Sequence, residues 1–325
     1  MVAFATSIEE EDFFGHRAWR LVSPDGPSAL VAERGATLLS WQPSESHEVI
    51  DGYIDGDELD AHFDARCLIM APWCGRIASG KFSFDGASHT VSSPEIAGLG
   101  GLTAELEFTR VPAGDALRLT SRLDASDAYP WDLEISVIFS LEGGVSGFEH
   151  LSLTIDATNV SESRAPVSIG WHPYLKMPSM DGISNLSLSI PARAKVLTDN
   201  RLIPLTGDAA FAGIASPARH DYLGSEKIDQ SFTQLVPNED GVVVTSVTNP
   251  ARGTQILLTQ EPSEAPVVHV FTADNLPRNS RKSIALEPCS AIPDAFNRAD
   301  QASRIPLESG ETRSLTATLS YRPSK

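Results

Sequence analysis

The chain has 325 residues, 41% of them hydrophobic and 21% charged, a balance typical of globular proteins and sufficient for a large core. Its 43 acidic and 25 basic side chains give a formal charge of −18, which repels phosphate backbones and anionic bilayers and so argues against nucleic acid and membrane surfaces as partners. No apolar run approaches the roughly 18 residues a membrane-spanning helix requires, and three cysteines, Cys67, Cys74 and Cys289, cannot build a disulfide framework.

The first residues, Met1 to Ser7, lack a basic stretch and run into Glu9-Glu10-Glu11-Asp12. No secretory signal is expected, and with the unpaired cysteines this predicts a cytoplasmic protein. Pro24-Asp25-Gly26-Pro27 marks a turn, and residues 54–63 carry a short helical pattern. Ala71-Pro72-Trp73-Cys74-Gly75-Arg76-Ile77 is a Pro/Gly-rich loop, followed by Gly80-Lys81-Phe82-Ser83-Phe84-Asp85-Gly86, which reads as a hairpin. Period-2 alternation, rich in Val, Ile, Thr and Phe, then predicts half-buried strands over 117–123, 133–139, 151–157, 242–247, 255–259, 267–272 and 314–321. Glu142-Gly143-Gly144 and Ser309-Gly310 are further turn signals, and residues 293–298 form a second short helical candidate. Many strands, regular turns and few helices predict an all-β fold, a large antiparallel β-sandwich covering residues 1–325 as a single domain. Length alone leaves two domains as the alternative.

Three side chains stand out. Arg76 lies in a loop from which it can project into a cleft and donate several hydrogen bonds, the alternative being a solvated loop arginine. His172, in Gly170-Trp171-His172-Pro173-Tyr174, ends a strand-like run, and Pro173 biases it towards an extended conformation. Its alternative is a structural histidine bonded to backbone. Glu287 follows the apolar Ile284-Ala285-Leu286 and precedes Pro288; a carboxylate there needs a partner, and a buried salt bridge with Arg76 is the alternative to catalysis. An imidazole and a carboxylate make an acid/base pair if the fold brings them together.

Together these segments resemble the aldose 1-epimerase (galactose mutarotase-like) family. Residues 71–77 are similar to its Pro-x-x-Asn-Arg-Ile segment, with Gly75 in place of the Asn, and residues 80–86 to the Gly-Lys-Phe-x-Leu-x-Gly that follows. Tyr129-Pro130-Trp131 resembles its Tyr-Pro-Phe. Asn159 with residues 166–175 resembles its Asn…Pro…His-Pro-Tyr-Phe, and residues 284–297 its Ile-x-Glu-Pro…Pro-Asp-Ala-Phe-Asn. The five matches keep the family's order from Ala71 to Asn297.

The resemblance implies a large β-sandwich that interconverts the α and β anomers of an aldose, a small-molecule sugar, with no metal or organic cofactor. It implies Glu287 as the base that takes the C1 hydroxyl proton and His172 as the acid that protonates the ring oxygen. Arg76 and, in Lys227-Ile228-Asp229-Gln230-Ser231-Phe232, Asp229 would bind the sugar. One departure is a histidine that the family carries after the hairpin: here Glu95-Ile96-Ala97-Gly98-Leu99-Gly100-Gly101-Leu102 puts Gly100 or a neighbour at that place. His269 could compensate for that histidine, the favoured alternative being a strand histidine on the other face, and Trp73, Trp171 and Phe296 either stack on a sugar or pack the core. The alternatives are a non-catalytic carbohydrate-binding protein and a sugar 6-phosphate mutarotase; for the latter, the one basic run, Arg278-Asn279-Ser280-Arg281-Lys282, reads as a solvated turn.

Overall fold

Alternating apolar residues become strands because every second side chain can be buried against a second sheet. In the strand Leu117–Leu123, Leu117, Leu119 and Leu123 are buried while Arg118, Thr120, Ser121 and Arg122 are not. The computed structural model describes residues 5–91, 98, 100–145 and 147–324. Within the glycine-rich segment singled out above, Glu95, Ile96, Ala97 and Leu99 lie outside the described residues, as do Met1 to Phe4.

Among the described residues, two large antiparallel sheets dominate. The nine-stranded one runs through Val243–Asn249, Thr254–Gln260, Thr312–Arg322, Phe148–Asn159, Leu133–Val145 and Leu117–Leu123, all adjacent in that order. The eight-stranded one places Ala192–Val196, Asp229–Leu235, Val267–Phe271, Ile284–Cys289, Gly170–His172 and Leu68–Met70 side by side. The main core lies where Val137, Phe139, Leu153, Ile155 and Leu319 of the first sheet meet Ile69, Trp171, Val268, Val270 and Leu286 of the second. The sandwich is therefore all-β and antiparallel, as expected.

Local differences from the sequence reading have simple causes. Glu142-Gly143-Gly144 is not a turn: the strand Leu133–Val145 runs through it with a register shift between Glu142 and Val145. Glycines that suit a turn also suit a bulge. The helix over 54–63 contracts to Gly56–Asp60, capped by the Asp55 side chain, which accepts the Glu58 N–H at 2.9 Å. It cannot continue because His62 and Asp64 adopt positive φ. The second helical candidate is a single 3-10 turn, Ala295–Asn297. A four-stranded sheet built from Ser7–Phe13, His16–Val22, Ser28–Ala32 and Leu38–Gln42 carried no clear period, because its first strand is largely exposed and acidic.

Candidate active site

The site is built on the face of the eight-stranded sheet that points away from the core. In Val267–Phe271, Val268 and Val270 enter the core, so His269 faces outward. His269 pairs with Glu287 across the next strand, and Ser231 pairs with His269 across the one before. Residues directly opposite each other in an antiparallel pair share a face, so Ser231, His269 and Glu287 form one row. On the other side of Glu287, Gly170 pairs with Cys289, and Trp171 goes into the core while His172 joins the row. Pro173 and Pro288 have no N–H to give, and pairing resumes only at Tyr174 with Ala285.

These side chains line a cleft enclosing about 1070 Å³ of empty space, open solvent at its mouth included, and Arg76, His172, Asp229, His269 and Glu287 all border it. His172 Nε2 lies 3.3 Å from Glu287 Oε1, with the Glu287 side chain only 6% exposed. The four residues expected at the site are thus brought together. Among the described residues, Glu287 Oε1 and His172 Nδ1 are buried without a hydrogen-bond partner. Buried polar atoms rarely stay unpaired, and a polyhydroxyl ligand offers donors and acceptors at this depth. The His172 ring is held against Tyr174, centroids 4.9 Å apart, and the Tyr174 hydroxyl donates to the Asp64 carbonyl at 3.1 Å.

His269 corrects the expectation that it faces elsewhere. Its Nε2 is 3.0 Å from Asp229 Oδ1 and its Nδ1 2.8 Å from Ser231 Oγ. Burial lowers the His269 pKa, but the negative charges of Glu287 and Asp229 outweigh it and leave the value raised. Burial likewise raises that of Asp229, yet the hydrogen bond and charge of His269 hold it below the ordinary carboxylate range. The face that His269 takes was not legible, because the strand is apolar on both sides of it, and Ser231 carried no signal as a site residue.

Arg76 is exposed at the cleft and, among the described residues, forms no ion pair, so the Arg76–Glu287 bridge is absent. Its loop is clamped by Asp294, whose N–H donates to the Arg76 carbonyl at 2.7 Å and whose Oδ1 accepts the Ala78 N–H at 2.8 Å. In the Pro-Asp-Ala-Phe-Asn segment, Pro293 borders the cleft and Asp294 fixes the arginine loop.

Trp73, Trp171 and Phe296 are buried in the core rather than stacked over the cleft. The basic run is a turn with Asn279, Ser280 and Lys282 exposed, but its arginines are ion-paired: Arg278 Nε sits 2.7 Å from Glu58 Oε1 and Arg281 Nη1 2.6 Å from Asp274 Oδ1. Gly100 has a φ of +94°, and a Cβ there would come within 2.7 Å of Met70 Sδ, so the Met70 side chain stands against the position where a histidine was expected. The three cysteines are free and buried, and Cys74 and Cys289 border the cleft. Among the described residues no group of three or more His, Cys, Asp or Glu side chains is gathered to hold a metal ion, and no helix is long and apolar enough to cross a membrane.

Comparison with known proteins places the chain in a family and agrees with its fold. A family model described as aldose 1-epimerase matches residues 17–320. The uncharacterized protein YihR of Escherichia coli strain K12 is 25% identical over 252 residues, 76% of each chain. A galactose mutarotase-like protein from Clostridium acetobutylicum superposes with a TM-score of 0.79 at 14% identity, covering 98% of this chain and 99% of its own. A galactose 1-epimerase from Lactobacillus acidophilus does so with a TM-score of 0.76 at 15% identity, over 98% and 99%. At those identities the two structures speak to the fold.

Proposed function

The chain belongs to the aldose 1-epimerase family, and we propose that it interconverts the α and β anomers of a neutral aldose by opening and reclosing the ring, the whole chain acting as one domain. The observation that carries this reading is the 3.3 Å approach of His172 Nε2 to Glu287 Oε1 at the buried end of the cleft. Mutarotation takes a proton from O1 and delivers one to the ring oxygen, and both oxygens are bonded to C1. An acid and a base whose reactive atoms are a few ångströms apart suit that demand.

In this reading the Glu287 carboxylate removes the O1 proton, the O1 electron pair forms the C1 carbonyl, and the C1–ring-oxygen bond breaks. The ring oxygen takes a proton from the His172 imidazolium. Rotation about C1–C2 presents the other face of the aldehyde. The reverse steps close the ring and restore both side chains, so nothing is consumed. Arg76 and Asp229 bind hydroxyls, as donor and acceptor respectively.

A binding protein without turnover is favoured by one observation, the absence of a side chain at Gly100. A phosphorylated sugar finds less support, since Arg278 and Arg281 are committed to Glu58 and Asp274. The test is to add the protein to freshly dissolved α-glucose or α-galactose and follow optical rotation. Acceleration towards the equilibrium anomer ratio supports the enzyme; sugar binding with no acceleration supports the alternative.

A further inference from the structure

His269 is a partly buried titratable group at the cleft that the proposed proton transfers do not use. Both its ring nitrogens are engaged, Nε2 with Asp229 and Nδ1 with Ser231, at 3.0 and 2.8 Å. It therefore has no free nitrogen to offer a sugar and cannot replace a histidine at Gly100 by direct contact. Its surroundings decide what it can do. Asp229 and Ser231 face it from one neighbouring strand and Glu287 from the other. Arg76 from its loop and His172 from the strand beyond complete the charged groups around the cleft.

We propose that His269 is a positioning residue that works as an imidazolium: bonded to both Ser231 and Asp229, it fixes Asp229 as an acceptor for a sugar hydroxyl beside Glu287. This rests on the mutarotase reading. An imidazolium donates from both nitrogens, which matches a carboxylate at Nε2 and a hydroxyl oxygen at Nδ1. Two carboxylates against one imidazole, with a cation on only one side, favour the charged form. The raised His269 pKa and the lowered Asp229 pKa point the same way.

Two variants separate this role from simple packing. In His269→Gln the side-chain amide can still donate to Asp229 and accept from Ser231, but carries no charge. The account expects its KM to stay within about threefold, because Asp229 keeps an orienting donor. His269→Ala should raise KM, since Asp229 loses its orienting bond. The second measurement needs no turnover: NMR titration of the His269 ring, expected to have its midpoint above the ordinary value of roughly 6.5 and to fall by about one unit in Glu287→Gln. A His269 midpoint below the ordinary value, a midpoint unmoved in Glu287→Gln, or a His269→Ala KM equal to the parent's overturns the proposal. A parent protein that fails to accelerate anomerisation overturns the mutarotase reading instead, and the NMR midpoints still decide whether His269 works as an imidazolium.

Discussion

His172 Nε2 lies 3.3 Å from Glu287 Oε1, although 115 positions of sequence separate the two residues. The contact exists because two short strands, Gly170–His172 and Ile284–Cys289, lie side by side and each turns its core-facing neighbour, Trp171 or Leu286, the other way. Proton transfer to and from a single sugar carbon depends on that adjacency.

Restoring a histidine at Gly100 should not improve the enzyme. A side chain there meets Met70 Sδ at 2.7 Å with φ at +94°, and left-handed backbone plus overpacking together cost a non-glycine residue about 1–3 kcal/mol. Gly100→His should lower Tm by several degrees without raising kcat. A stable Gly100→His variant with higher kcat would show that Met70 yields and that the glycine is a loss of function rather than a packing requirement.

Arg76→Ala should act on substrate binding and not on folding. The side chain is exposed and forms no ion pair among the described residues, so stability should change by no more than about 0.5 kcal/mol. Losing a charged donor to a sugar hydroxyl should raise KM about tenfold. Steady-state kinetics beside a thermal melt reads both; a large fall in Tm with unchanged KM would make Arg76 structural.

Asp51 ties the loops beneath the cleft. It is 3% exposed, and it meets Arg66 at 2.6 Å, Ser283 at 2.8 Å and Asn279 at 3.0 Å. Burial raises its pKa, but the charge of Arg66 and the hydrogen bonds of Ser283, Arg66 and Asn279 outweigh that and hold it low. A lowered folded pKa means its contribution is present above the ordinary value of 3.8 and is lost as pH falls through the folded value. Asp51→Ala leaves the buried Arg66 guanidinium only the longer contact with Asp64 Oδ2, 3.4 Å, as a counter-charge and should cost about 3–5 kcal/mol in denaturant unfolding at neutral pH. A cost below about 1 kcal/mol would mean Arg66 finds water or another acceptor.

Much of the fold was legible because buried strands alternate, and Leu117–Leu123 shows the match residue for residue. The acidic strand Ser7–Phe13 was not, since a strand exposed on both faces carries no period. At the site, His172, Glu287, Arg76 and Asp229 were named in advance and all border one cleft. His269 was misplaced for a physical reason: in Val-Val-His-Val-Phe both faces are apolar, so alternation cannot say which one is the core. Likewise, which face Trp73 and Trp171 take is a matter of sheet packing, and large aromatics read the same in a core and in a binding cleft.

A neutral aldose should be turned over at least as well as its 6-phosphate. Arg278 is spent on Glu58 and Asp51 and Arg281 on Asp274, and the net charge of −18 disfavours a dianion. Comparing kcat/KM for glucose and glucose 6-phosphate checks this; a preference of more than about tenfold for the phosphate, roughly 1.4 kcal/mol, would reassign the substrate class.

The most direct test of the acid/base pair is anomer exchange of an aldose followed by NMR with the parent protein, Glu287→Gln and His172→Asn at equal concentration. Both substitutions keep size and hydrogen-bonding capacity while removing the proton-transfer function. The account predicts acceleration by the parent and a fall of about 10²–10⁴-fold in kcat for each variant, with sugar binding retained. Acceleration by the parent that survives in either variant would contradict the assignment of His172 and Glu287 as the acid and the base.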